Sequence, residues 1–138
     1  MSVETNRALI RRLFDEVLNG GNTDALNEII SGEYVEHDAL PGQEAGGAEG
    51  VRQRLAILRE AFPDLSWHLQ DLIAAEQKAV ARWGMEATDL GGFMGMAPTG
   101  KRVSVSGIDV YRIANGCVAE HWQEMDTLGL MRQLGAVS

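Results

Sequence analysis

Apolar residues recur at Ile10, Leu13, Phe14 and Val17, the i, i+3, i+4, i+7 spacing of a helix with one buried face. The spacing predicts a helix over about residues 3–18, stopped by Asn19-Gly20-Gly21. A shorter helix fits Asp24–Ile30, with Asn22 or Thr23 as its cap. The polar, Gly-containing stretch YVEHDALPGQEAGG reads as a loop. A third helix fits about 48–61, with Val51, Leu55 and Leu58 on one face, and Pro63 closes it. The period then drops from 3.6 to 2. Leu65–Ala75 and Lys78–Thr88 read as strands joined by a tight turn, and DLGGFMGMAPTGK as a long connection. Arg102–Ala114 and Cys117–Met125 read as a hairpin around Asn115-Gly116, a pair that tolerates positive φ at both positions. Thr127–Leu134 reads as a short closing helix.

Helices followed by an antiparallel meander imply an α+β fold, with N-terminal helices across the open face of a curved sheet. Such a cone has an apolar interior and one mouth, a natural small-molecule site. Residues 1–138 fit a single domain by size.

Composition narrows the partners. The net charge is −8, which repels nucleic-acid phosphates and anionic lipid, so neither is expected. No apolar run approaches membrane-spanning length, and MSVETNRALIRR lacks a signal-peptide core, so a cytoplasmic protein is expected. One cysteine, Cys117, provides neither an internal disulfide nor a thiolate metal cluster. His37, His121 and the acids lack metal-ligand spacing, and no phosphate-cradling or nucleophile-elbow motif is present. Neither metal nor cofactor is expected.

The candidate chemistry lies on the last two strands. Asp109 interrupts an otherwise apolar strand face shared with Val103, Val105, Gly107 and Tyr111, and a carboxylate there needs partners or a ligand. Plain antiparallel pairing sets Asp109 opposite Trp122 unless a bulge shifts the register. His121 is the natural proton carrier. Strict alternation sends His121 and Trp122 to opposite faces; His121 is preferred inward, since the other choice buries Glu120 and Glu124. Asp126, at the junction of strand and helix, is either a helix cap or a pocket acid/base. Either Arg82 or Trp83 faces inward, and an interior Arg82 would polarise a substrate carbonyl. His37, Phe93, Met94, Tyr111 and Trp122 complete the candidate ligand contacts; Phe93 and Met94 either form an apolar lid or anchor their loop.

The segments FMGMAPTGKRV (93–103), RIANG (112–116) leading to VAEHWQEMD (118–126), and LMRQLG (130–135) resemble the SnoaL-like polyketide cyclases, a family of the nuclear-transport-factor-2-like superfamily. The opening LFDEVLNGGNTDALNEIISGEYVEH is similar too, and the resemblance spans nearly the whole chain. It implies the cone fold, commonly as a homodimer. It also implies ring closure of a small apolar carbonyl compound by intramolecular aldol condensation, without cofactor. Asp126, nine residues before Gly135, matches the position of the family's general acid/base. Asp109 departs from the histidine expected on the preceding strand. Two other cone chemistries stay open: epoxide opening of the limonene-epoxide-hydrolase type, although Gly107 stands where that family needs an arginine, and a steroid-isomerase-like proton shuttle. A non-catalytic binding or dimerisation module also stays open.

Overall fold

The computed structural model describes residues 2–137. Helix α1 (Val3–Arg12) opens with a reciprocal cap, in which the Thr5 N–H donates to Ser2 Oγ and the Ser2 N–H to Thr5 Oγ1, both at 3.0 Å. It runs on as a wider π-helical stretch, Leu13–Asn19, so one rod carries Ile10, Leu13, Phe14 and Val17 into the core. The predicted second helix is shorter than its pattern: a 3₁₀ turn, Thr23–Ala25, leads into α2 (Leu26–Ile29). The chain then enters a strand, β1 (Ile30–Glu36), rather than a loop. Helix α3 spans Gly47–Ala61. The meander follows as β2 (Ser66–Ala74), β3 (Lys78–Thr88), β4 (Arg102–Ala114) and β5 (Cys117–Met125), and α4 (Thr127–Gln133) closes the chain. No helix among the described residues is long and apolar enough to cross a membrane.

The sheet order is β1-β5-β4-β3-β2. β1 lies parallel to β5 and the other pairs are antiparallel, so the sheet is mixed rather than wholly antiparallel. The β4–β5 hairpin turns at Asn115 and Gly116, with φ of 53° and 76°.

One irregularity decides the interior. Ile113 pairs with Val118 but Arg112 pairs with Glu120, which leaves Ala119 as an extra residue in β5. Beyond that bulge Tyr111 faces His121, Asp109 faces Gln123 and Gly107 faces Met125. The regular register would have set Asp109 against Trp122. A one-residue slip exchanges the faces of a strand, so the bulge turns His121 and Gln123 inward and leaves Trp122 outside.

In β4 the residues at Val103, Val105, Gly107, Asp109, Tyr111 and Ile113 are buried and their neighbours are not, the signature of one covered face. The helices cover it through Leu26, Ile29, Val51, Leu55 and Leu58 besides the first rod. The long 89–101 connection folds around the buried Asp89. Its carboxylate accepts from the Gly92 N–H (3.2 Å) and from the Thr99 N–H and hydroxyl (both 2.9 Å), which offsets its desolvation.

Candidate active site

All five strands and two helical segments send side chains into one hollow. Leu13 and Leu18 come from the first rod, and Val51, Leu55 and Leu58 from α3. Trp67, Trp83 and Met85 come from β2 and β3, and Val118 and Met125 from β5. Against this apolar wall stand seven polar side chains: Tyr34, Glu36, Arg54, Asp109, Tyr111, His121 and Gln123. A few convergent polar groups in an apolar cleft is the usual composition of a ligand site.

The polar groups form one connected chain. Asp109 is 4% exposed, and its two oxygens accept three hydrogen bonds and make one ion-pair contact. Oδ2 takes Trp83 Nε1–H at 3.0 Å and the Tyr111 hydroxyl at 2.9 Å. Oδ1 takes Gln123 Nε2–H at 2.9 Å and lies 3.2 Å from His121 Nε2. His121 Nδ1 lies 2.7 Å from Glu36 Oε2, and the Tyr34 hydroxyl donates to Glu36 Oε1 at 2.8 Å. His121 thus has a carboxylate at each ring nitrogen. Carboxylates only accept, so both nitrogens carry hydrogen and the ring is an imidazolium. Its plane stacks on Tyr111 with centroids 5.0 Å apart.

The electrostatics follow. Burial disfavours the charge on His121, but hydrogen bonds to Asp109 and Glu36, with their charges, outweigh it and raise the pKa to about 9. Burial alone would push the Glu36 carboxyl up. The His121 bond and charge, the Asp38 N–H and the Tyr34 hydroxyl hold it below the usual carboxylate range instead. Burial, reinforced by Asp109, pushes the Tyr111 phenol well above its usual value, and burial with Glu36 does the same to Tyr34. Both phenols therefore stay neutral donors.

A stability prediction comes directly from His121. Its folded pKa of about 9 exceeds the unfolded 6.5, so the folded state holds the proton more tightly. The contribution, on the order of 3 kcal/mol, is complete below pH 6.5 and lost as pH rises from there through about 9. Urea unfolding from pH 6 to 9.5 is expected to show this decline. A flat profile would contradict the buried imidazolium.

Several candidates from the sequence lie elsewhere. Asp126 is exposed, and its Oδ1 accepts the Gly129 N–H at 2.9 Å as the N-cap of α4. It has the outward parity of Trp122 and Glu124, so the carboxylate does not border the hollow. Arg82 points outward as well, with Nε at 2.7 Å from Asp71 Oδ2 and a bond to Gln70 Oε1; its neighbour Trp83 takes the inward position. His37 lies outside, stacked on Trp122 at 4.9 Å and 2.6 Å from Glu120 Oε2. The reason for both is the bulge, which leaves the Trp122 ring on the outer face. Phe93 is buried against Phe62 (5.5 Å between centroids) and anchors its loop, while Met94 is 51% exposed; both border a shallow groove beside α3, not the hollow. Asp109, His121, Trp83 and Tyr111 do come together in the hollow.

Sequence reasoning missed Tyr34, Glu36, Arg54 and Gln123. For Arg54 a signal existed: Val51, Arg54, Leu55 and Leu58 form one i, i+3, i+4, i+7 stripe, and the arginine occupies an inward position of it. Among the described residues, no group of three or more His, Cys, Asp or Glu side chains is arranged to hold a metal ion.

Residues 8–134 match the family model described as SnoaL-like polyketide cyclase. The chain is 32% identical over 136 residues to aklanonic acid methyl ester cyclase DnrD of Streptomyces peucetius, covering 96% of this chain and 92% of that one. It is 27% identical over 119 residues to nogalonic acid methyl ester cyclase of Streptomyces nogalater, with 85% and 88% covered. Among solved structures, TsrD from Streptomyces laurentii matches with a TM-score of 0.88 at 34% identity, over 99% of each chain.

Proposed function

The chain belongs to the SnoaL-like polyketide cyclase family, and from that premise we propose that it closes a ring in a carbonyl-bearing polyketide ester by an intramolecular aldol reaction, with Asp109 as the base. What supports this chemistry is one arrangement: a carboxylate and an imidazolium in contact inside an apolar hollow. A C–H flanked by carbonyls is acidic enough for a carboxylate to remove. Asp109 takes that proton. The enolate carbon then forms the new C–C bond to a ketone carbon, and the resulting alkoxide takes a proton from Asp109 or His121. No electrons are gained or lost, so the chain's own acid/base groups balance the reaction. The hollow also holds the substrate folded, which lowers the entropic part of the barrier.

Asp109 meets the substrate through a specific opening. Of its four donors, Trp83, Tyr111 and His121 are 1%, 4% and 5% exposed, whereas Gln123 is only half-buried. Gln123 is the donor a substrate displaces.

The test is ring closure with aklanonic acid and nogalonic acid methyl esters as substrates, followed by product formation and by deuterium uptake at the activated methylene. Product is expected from the purified protein, with exchange at that carbon. Bound ester that neither exchanges nor cyclises would overturn the reading. Asp126→Ala is expected to cost about 1 kcal/mol of stability through the lost cap and to leave turnover unchanged. Loss of turnover in a folded Asp126→Ala protein would return the base to residue 126.

A further inference from the structure

Arg54 is a cation on the wall of an apolar hollow, and among the described residues it forms no ion pair. Its partners are neutral oxygens: the Asp38 carbonyl at 2.9 Å, Gln43 Oε1 at 3.3 Å and Gln123 Oε1 in a short contact. The guanidinium charge is therefore not committed to any carboxylate.

Gln123 links this cation to the base. Its amide oxygen lies on Arg54, and its amide nitrogen donates to Asp109 Oδ1 at 2.9 Å. The group spanning the two is O=C–N–H. An enolisable ketone or ester presents O=C–C–H, the same four atoms with carbon in place of nitrogen. A substrate that displaces the amide can place its carbonyl oxygen on Arg54 and, with its carbonyl plane turned so that the C–H stands across it, its acidic C–H on Asp109.

The geometry points to Arg54 as the enolate-oxygen site of this hollow, held in this structure by the side chain of Gln123, with carbonyl compounds bearing an acidic α C–H as its ligand class. The inference rests on the cyclase reading and adds to it. The C–H bond breaks, the proton goes to Asp109 Oδ1, and the electron pair moves onto the carbonyl oxygen beside the guanidinium. Negative charge thus passes from the carboxylate to an oxygen that already faces a cation. Such preorganised donors act most strongly where water is excluded. Arg54 also takes over the role that the sequence pattern had offered to Arg82.

Benzoylacetone, a 1,3-diketone whose enolate has its own near-ultraviolet absorption, is the probe. Bound to the parent protein it is expected to ionise at a lower pH than in buffer. Arg54→Gln is expected to weaken enolate binding about 10- to 100-fold, the worth of one charge-assisted hydrogen bond. Arg54→Lys, which keeps the charge on the same helix, should retain part of the effect, and urea midpoints of both variants establish that they fold. Gln123→Ala should bind the enolate more tightly than the parent. The inference falls if the parent fails to ionise the diketone, or if folded Arg54→Gln and Arg54→Lys ionise it as the parent does. It also falls if Arg54→Gln closes methyl-ester rings at the parental rate, an outcome that leaves the cyclase reading intact. Arg54-dependent ionisation without ring closure would uphold the enolate site and overturn the cyclase reading.

Discussion

Asp109→Asn is expected to lower methyl-ester turnover by about 10³-fold, with the ester still bound. Asparagine keeps the volume of the side chain, so the core around it is not emptied. It cannot accept the substrate proton, however, and it offers one acceptor oxygen to a place where four donors converge. Its NH₂ group must face either the Gln123 amide N–H or the Trp83 indole N–H, donor against donor. His121 loses one of its two carboxylates, so its pKa falls and the alkaline limb of the remaining activity moves to lower pH. Breaking a buried charged contact also costs about 3 kcal/mol of stability. Turnover, ester binding and urea midpoints measured together separate these effects. Near-parental turnover in a folded Asp109→Asn protein would remove Asp109 from the chemistry.

Gly107→Ala is expected to be the most damaging single methyl group in the sheet. A Cβ at that position would lie 2.2 Å from Trp83 Cζ2 and 2.6 Å from Cη2. The indole is 1% exposed and held by its N–H bond to Asp109, so it can yield only by turning into the hollow. Overpacking of this kind costs about 3 kcal/mol. The displaced ring also withdraws its N–H from Asp109, so activity falls with stability. Trp83→Phe makes room for the methyl group without restoring the hydrogen bond. The double variant Gly107→Ala/Trp83→Phe should therefore be more stable than Gly107→Ala and no more active than Trp83→Phe. Additive stability effects in that double-mutant cycle would show that the two positions do not compete for space.

Much of this architecture is legible in the sequence because it depends on local periodicity. The stripe at Ile10, Leu13, Phe14 and Val17, the Asn115-Gly116 turn and the alternation around Asp109 each specify their element without outside help. β1 is not legible in that way. As an edge strand its outward residues are solvated, and past Ile30 its inward ones, Tyr34 and Glu36, are polar and line the hollow, so the segment carries the composition of a loop. The orientation of β5 is hidden for a different reason. Whether His121 or Trp122 faces inward depends on whether the strand holds a bulge, and nothing in the composition around Ala119 announces one. Asp126 shows a third case. An acid at a strand–helix junction satisfies both a cap and a mouth residue on paper, and the free N–H groups of α4 win it.

The surplus residue at Ala119 makes the strand's phase a discrete variable. Removing it would carry Glu120, Trp122 and Glu124 to the interior in a single step and expel the imidazole, an outcome the desolvation of two acids forbids to this chain. In a sequence whose alternate positions were differently furnished, the same single-codon insertion or deletion would exchange one complete set of reactive groups for another. The scaffold can in that way change its chemistry by editing chain length, without passing through the half-equipped intermediates that successive point replacements create.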